Sequence, residues 1–445
     1  MKRKYISDRL CGLVAIVLMA SCLWSCSKTD SGSGSGLIEL AGEDFTVVSM
    51  ARPVDILRSA GAEVENGRVV LPQSLTDGPL HASDMHVLKT LCEAKGLALD
   101  NLLSLAYYNP RMSAMVLAVT DSGALASSLG GAGWTGVKCD GGEVYTHDAA
   151  RSVSLMCDGE YLWIVRRGEA DAVAKDVEAL KGRAARPLPS WLADKLAAVG
   201  DEALRMAYQA DTTRVFVAAM GLHGPSMTID VRCAAKTDGA PRTFFEPDSA
   251  CTLGNAAAYV SRDDVVSLGV ALPRGFQIAR LIQEIDYTIY SMPGVADAVR
   301  QLDGRLVLSA GIIDPSSLNV MDISNYRVSL ALGTGPGHAD ELLKILRQAL
   351  GHSSYLPLDM HADGDLVLID LNGGCRGDKA AAGGEMALLS ANLPSDSPLA
   401  RMAGLPCGFT VKGDADNDAA RLEIAFSDSD RGFVATLLDI ISIID

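Results

Sequence analysis

A chain of 445 residues is longer than one hydrophobic core usually serves, so two domains are expected. Hydrophobic residues make up 48% of it and charged residues 21%, a balance that excludes a disordered chain. The formal charge of -16 repels phosphate backbones and argues against nucleic acid as a partner.

Lys2, Arg3, Lys4 and Arg9 precede an apolar run, Leu10 to Met19, that is too short to span a bilayer. The pattern is that of a signal peptide over residues 1–25. Leu23-Trp24-Ser25-Cys26 resembles the lipobox of bacterial lipoproteins, whose cysteine is acylated and becomes the new amino terminus. Cys26 is the favoured lipidation site because a flexible tether, residues 26–36, follows with the alternating Ser/Gly run Ser31 to Gly36. Met19-Ala20-Ser21-Cys22 makes Cys22 the alternative. Each buried methylene of an acyl chain contributes about 0.8 kcal/mol, so several chains would hold the protein on a membrane. Contact with the membrane is therefore expected through the lipid, at the outer membrane, facing either the periplasm or the cell surface.

Beyond Cys26 the cysteines are Cys92, Cys139, Cys157, Cys233, Cys251, Cys375 and Cys407. None lies in a C-x-x-C spacing, so neither a zinc ribbon nor a thioredoxin-like motif is expected, and most should be buried small hydrophobes.

In chain order, Phe45 to Met50 is a strand candidate and Pro53 opens a helix over Val54 to Ala60. Glu65-Asn66-Gly67-Arg68 reads as a hairpin turn. Helical patterns follow at Met85 to Lys95 and Leu99 to Leu105. Met115 to Val119 is a strand, and Asp121-Ser122 caps a helix through Leu129. Val144 to His147, Val153 to Cys157 and Tyr161 to Arg166 read as antiparallel strands, the last two joined by Asp158-Gly159. Ala170 to Leu180 is helical, and Val215 to Met220 and Met227 to Ala234 are strands.

The second half repeats this plot. Val265-Val266-Ser267, then Pro273 and a helix over Phe276 to Ile285, echo Val47-Val48-Ser49, Pro53 and its helix. Val328 to Leu332, leading into the helix Ala339 to Leu350, echo Met115 to Val119 and its helix. The turn at Asp363-Gly364 echoes Asp158-Gly159, while Phe409 to Lys412 and Arg421 to Phe426 echo the strands from Val215 to Ala234. A helix from Gly432 to Ile444, apolar almost all round, closes the second copy. The expected fold is α+β, two diverged copies of a mixed, mainly antiparallel sheet packed with helices, at 37–240 and 250–445, joined near Thr237 to Ser249.

The lipobox, the Ser/Gly spacer, the strand Thr46-Val47-Val48-Ser49 running into Pro53-Val54-Asp55-Ile56-Leu57, and the terminal strand-turn-helix from Leu422 to Ile444 together resemble a family of cell-envelope lipoproteins grouped as a domain of unknown function. Ala41-Gly42-Glu43-Asp44 stands where such proteins tend to carry a proline. The resemblance implies an envelope location and brings no catalytic residues.

Candidate chemistry is thin. Gly333-Thr334-Gly335-Pro336-Gly337 lacks the lysine of a P-loop and reads as a turn. Asp414, Asp416 and Asp418 match the first spacings of a calcium loop, but Ala419 and Ala425 replace its glycine and glutamate. His338, His352, His361, Asp363 and Asp365 lack metal-site spacing. Glu43 and Asp44, Asp263 and Asp264, and Glu246 and Asp248 are acidic pairs of the kind found in solvated turns, and Arg376-Gly377-Asp378 is a three-residue match. No catalytic, cofactor-binding or metal residues are assigned and no cofactor is expected. The expected function is that of a membrane-anchored binding or accessory protein with a protein or polymer ligand, taken up by a groove between the copies or an exposed sheet face. The alternative is an envelope hydrolase with a site assembled between the repeats.

Overall fold

The computed structural model describes residues 34–65, 68–76, 81–108, 112–198, 202–244, 251–261, 264–272, 295–313, 323–350, 358–374, 383–402, 404–427 and 429–444. Cys22, Cys26, the expected helix at Phe276 to Ile285, Cys375 and the Arg376-Gly377-Asp378 tripeptide lie outside them. Two compact units form: Met1–Pro241 with Ser429–Asp445, and Arg242–Asp428.

The first unit opens with α1 (Gly34–Ile38), where the end of the expected tether becomes a helical turn because Leu37 and Ile38 are buried. Then come β1 (Val47–Ala51), α2 (Pro53–Ser59), β2 (Glu63–Glu65), β3 (Arg68–Val70), α3 (Gln73–Thr76) and α4 (Ala82–Glu93). Pro53 starts α2, where its missing N–H is of no consequence. β4 (Leu102–Ala106) lies where a helix is expected over Leu99 to Leu105. Leu102, Leu103 and Leu105 are all buried, so both faces of the strand are covered and the apolar run loses the alternation that identifies a strand.

β5 (Ser113–Ala118) leads into α5 (Ser122–Gly131), whose N-cap Asp121 accepts a bond from the Ala124 N–H at 2.9 Å. β6 (Thr135–Cys139), β7 (Gly142–Thr146), β8 (Val153–Cys157) and β9 (Tyr161–Arg166) follow, then α6 (Ala170–Arg183), α7 (Ser190–Ala197), β10 (Leu204–Gln209), β11 (Arg214–His223) and β12 (Ser226–Ala235). Antiparallel pairing sets the order β12-β11-β10-β1-β4-β5-β9-β8-β7-β6. One face presents Val48, Met50, Leu103, Leu105, Val116 and Trp163, packed with Leu37 of α1, Val173 and Val177 of α6, and Leu192 and Leu196 of α7.

The second unit carries a short 3-10 helix (Gly254–Tyr259), β13 (Val266–Ala271), α8 (Val295–Arg300), β14 (Leu302–Ile312), β15 (Tyr326–Thr334), α9 (Ala339–Leu350), β16 (Leu358–Asp363), β17 (Leu366–Leu371), β18 (Ala387–Leu393), α10 (Pro398–Met402), β19 (Gly408–Ala415) and β20 (Ala419–Ser427). Its antiparallel order is β20-β19-β18-β13-β14-β15-β17-β16. Leu253, Ala256, Ala257 and Val260 cover one face over Val307, Leu368 and Leu388, while Leu342 and Leu343 of α9 cover Leu332 and Val367 on the other. The chain is thus α+β, with sheet predominating.

The terminal helix corrects the expected boundary of 250–445. α11 (Phe433–Ile444) packs on α2 and α3 in the first unit. The Phe433 N–H donates to the Gly224 carbonyl at 2.7 Å and the Val434 N–H to Ser59 Oγ at 3.1 Å. Gly432 lets the chain pass the Ser59 backbone, since a Cβ there would stand 2.3 Å from the Ser59 carbonyl oxygen. An apolar helix settles where a complementary face is open, not where chain order would leave it. Among the described residues no helix is long and apolar enough to cross a membrane.

Candidate functional site

Five polar side chains form one buried row across the second unit's sheet. Register aligns Ser390 (β18), Ser267 (β13), Ser309 (β14), Ser329 (β15) and Asp370 (β17) as successive cross-strand neighbours. None is more than 7% exposed, so each needs a partner. The Ser261 N–H donates to Ser267 Oγ at 2.9 Å, the Ser267 hydroxyl bonds to that of Ser309, and Ser309 Oγ donates to the Tyr259 carbonyl at 2.9 Å. Ser329 Oγ donates to Asp370 Oδ1 at 2.5 Å. A would-be Cβ on Gly374 would stand 2.6 Å from Ser329 Oγ, so glycine allows the backbone to close over this pair.

The row continues outward through directly opposed Lys412 (β19) and Glu423 (β20). There it opens into a cleft of about 180 Å³ lined by Val260, Leu388, Ser390, Lys412, Asp414, Arg421 and Glu423. Leu388, Asp414 and Arg421 form the neighbouring row on the same face.

The 3-10 helix that roofs this face is fixed by Arg305. Its guanidinium donates to Asp303 Oδ2 and Asp365 Oδ2, each at 2.6 Å from Nη2, and to Asn255 Oδ1 at 2.6 Å, while Asn255 Nδ2 donates to Asp365 Oδ1 at 2.7 Å. Tyr259 adds a hydroxyl bond to Asp363 Oδ2 at 2.5 Å. Burial pushes the Asp365 carboxyl up, but the bonds from Arg305 and Asn255 outweigh it and hold the group below the usual carboxylate range.

The first unit has an apolar row at the same place in its strand order. Val217, Ala207, Val48, Leu105, Ala114 and Val165 are its successive neighbours, under α1, α6 and α7.

The residues singled out in the sequence have local roles. Thr334, in the glycine-rich turn, bonds the Asp365 carbonyl through both its N–H and Oγ1. Asp416 Oδ1 accepts the Asp418 and Ala419 N–H groups and so caps its own hairpin. His338 meets Glu341 at 3.4 Å and His361 meets Asp359 at 3.6 Å, whereas Asp363 and Asp365 are engaged by Tyr259 and Arg305; His352 lies outside the described residues. Among the described residues no cluster of metal-ligating side chains forms. Asp44 pairs with Arg183, Glu43 with Arg186 at 3.7 Å, and Asp264 with Arg327 at 2.5 Å, so these carboxylates are tied to cations, while Asp263, Glu246 and Asp248 lie outside the described residues. The described cysteines, Cys92, Cys139, Cys157, Cys233, Cys251 and Cys407, are all free thiols, and Cys139 and Cys251 are only partly buried.

Sequence reasoning missed the serine row. Its trace is a serine flanked by apolar residues in four strands: Val266-Ser267-Leu268, Leu308-Ser309-Ala310, Val328-Ser329-Leu330 and Leu389-Ser390-Ala391.

Removing one partner should expose the cost of the row. Ser329→Ala leaves Asp370 Oδ1 without its hydroxyl and is expected to destabilise the second unit by about 1–3 kcal/mol in urea melts. Ser329→Ala with Asp370→Val, an apolar cross-strand pair of the kind that Ala114 and Val165 form in the first unit, should recover most of that loss.

No family model and no curated protein matches the chain. Crystal form I of TP0453 is 9% identical, with a TM-score of 0.25, over 75% of this chain and 90% of that one. Crystal form III gives the same identity and score over 78% and 96%. Scores of this size carry no argument about the present chain.

Proposed function

We propose that the protein is a lipid-anchored binding or accessory protein of the cell envelope, with a body of two diverged copies and a ligand cleft on the second. The anchor is assigned to Cys26, with Cys22 as the alternative, on the resemblance of the segment to a lipobox. The duplication is supported by strand order: β12-β11-β10-β1-β4-β5-β9-β8 corresponds strand for strand to β20-β19-β18-β13-β14-β15-β17-β16.

Laying the Asp158-Gly159 turn on the Asp363-Gly364 turn then fixes every other strand through its register. Val165 falls on Asp370, Ala114 on Ser329, Leu105 on Ser309, Val48 on Ser267 and Ala207 on Ser390. Val48, and not Ser49, answers to Ser267. The sequence echo of Val47-Val48-Ser49 in Val265-Val266-Ser267 is thus one residue out, and a one-residue slip turns every side chain to the opposite face.

The observation that carries the functional reading is the exchange of a whole buried apolar row for a polar one where, among the described residues, no counterpart of α6 and α7 covers the sheet. α7 packs on β10 and β1, and the cleft stands over β18, the counterpart of β10. Residues 372–386, between β17 and β18, are too few for helices of 14 and 8 residues such as α6 and α7. Burying polar groups costs stability that an apolar core does not, so a polar row beside an open cleft is best explained by a ligand.

Amide-resolved NMR of the full-length protein during a fragment screen tests this. Hits are expected to shift the Ser390, Lys412 and Glu423 amides together; hits scattered over other surfaces would overturn the assignment.

A further inference from the structure

We propose that the cleft takes a small zwitterion, a free amino acid or a whole short peptide, with its carboxylate on Lys412 and its ammonium on Glu423. This deepens the binding-protein reading and rests on it. Lys412 and Glu423 are directly opposed on neighbouring strands, where Cβ atoms lie about 4.5–5.5 Å apart and opposite charges ordinarily pair. Among the described residues neither takes an ion-pair partner, and both line the cleft.

A pure anion would meet Glu423 and Asp414, and a pure cation would meet Lys412 and Arg421, so only a ligand carrying both signs satisfies the lining. Ser390 stands next along the row at the inner edge of the cleft, and Val260 and Leu388 offer a small apolar wall. The volume, about 180 Å³, falls below the roughly 300 Å³ at which drug-sized pockets begin, and matches a molecule of amino-acid size. In the first unit the corresponding pair is Val217 and Arg232, which offers no matched charges. The first unit therefore serves as an internal comparison that lacks the opposed charges.

Calorimetric titration of the full-length protein with glycine, alanine, dialanine, trialanine, N-acetylalanine and alaninamide tests the proposal. Alanine or one of its peptides should bind, with N-acetylalanine and alaninamide at least tenfold weaker because each lacks one charge. Lys412→Val, which installs the first unit's residue, and Glu423→Gln should each weaken the zwitterion at least tenfold while the melting curve stays in place. Free alanine binding more tightly than its peptides marks an amino-acid site; the reverse order marks a site for a whole short peptide. Capped compounds that bind as tightly as zwitterions, or affinities that ignore both variants, overturn the proposal. If none of these compounds binds while fragment hits still fall on Ser390 and Lys412, the ligand class is wrong and the cleft reading stands. If both fail, the cleft reading falls as well.

Discussion

Arg305→Met is expected to lower the stability of the second unit by about 2–3 kcal/mol, because one side chain holds two strand ends and the roof of the cleft together. Arg305 is 12% exposed, and its loss strands two carboxylates that it neutralises, Asp303 and Asp365. Those acids keep 26% and 35% exposure, so water recovers part of the loss and the effect stays below that of a fully buried pair. Acid titration gives the effect a signature. The Asp365 carboxyl is held below its unfolded value, so its contribution is complete above about pH 4 and drains away as pH falls through the folded value. The gap between wild type and Arg305→Met should therefore be widest near neutrality and close in acid. Urea melts at pH 7 and pH 3 measure it; a gap that is the same at both would remove the carboxylates from the account. Loosening the roof should also weaken whatever the cleft binds, since Val260 closes one wall.

Removing residues 429–445 is expected to have the larger effect, and on the first unit. α11 buries Phe433, Val434, Ala435 and Leu438 to 6% exposure or less. Large apolar side chains contribute about 1.5–3 kcal/mol each on burial, so the helix accounts for much of a typical domain stability of about 5–15 kcal/mol. Limited proteolysis of the full-length and shortened chains discriminates. The shortened chain should lose protection across residues 34–241 and keep a resistant fragment from the second unit. Loss of the second unit's fragment instead would return the helix to the place that chain order suggests.

Both expectations depend on features that the sequence shows unequally. The hairpin Val153–Cys157 and Tyr161–Arg166 and the helix Ala339–Leu350 were legible because their signals are local: an Asp-Gly turn between β-rich runs, and an apolar stripe opened by Asp340 and Glu341. Leu102 to Leu105 misleads because a strand buried on both faces carries no alternation. The serine row was invisible as a row, although each serine was visible by itself. Register joins residues more than forty positions apart, such as Ser267 to Ser309, and no local window contains both.

By itself, then, the sequence determined the elements with strong local periodicity and the acidic balance of charge, since each depends on neighbours in the chain or on composition. It also carries the lipobox-like segment on which the envelope proposal rests. Tertiary structure decided which strands pair and in what register, which unit receives the last helix, and where polar side chains meet beside an open cleft. Those outcomes depend on strand register and on competition for apolar faces, and both are settled by contacts between residues far apart in the chain.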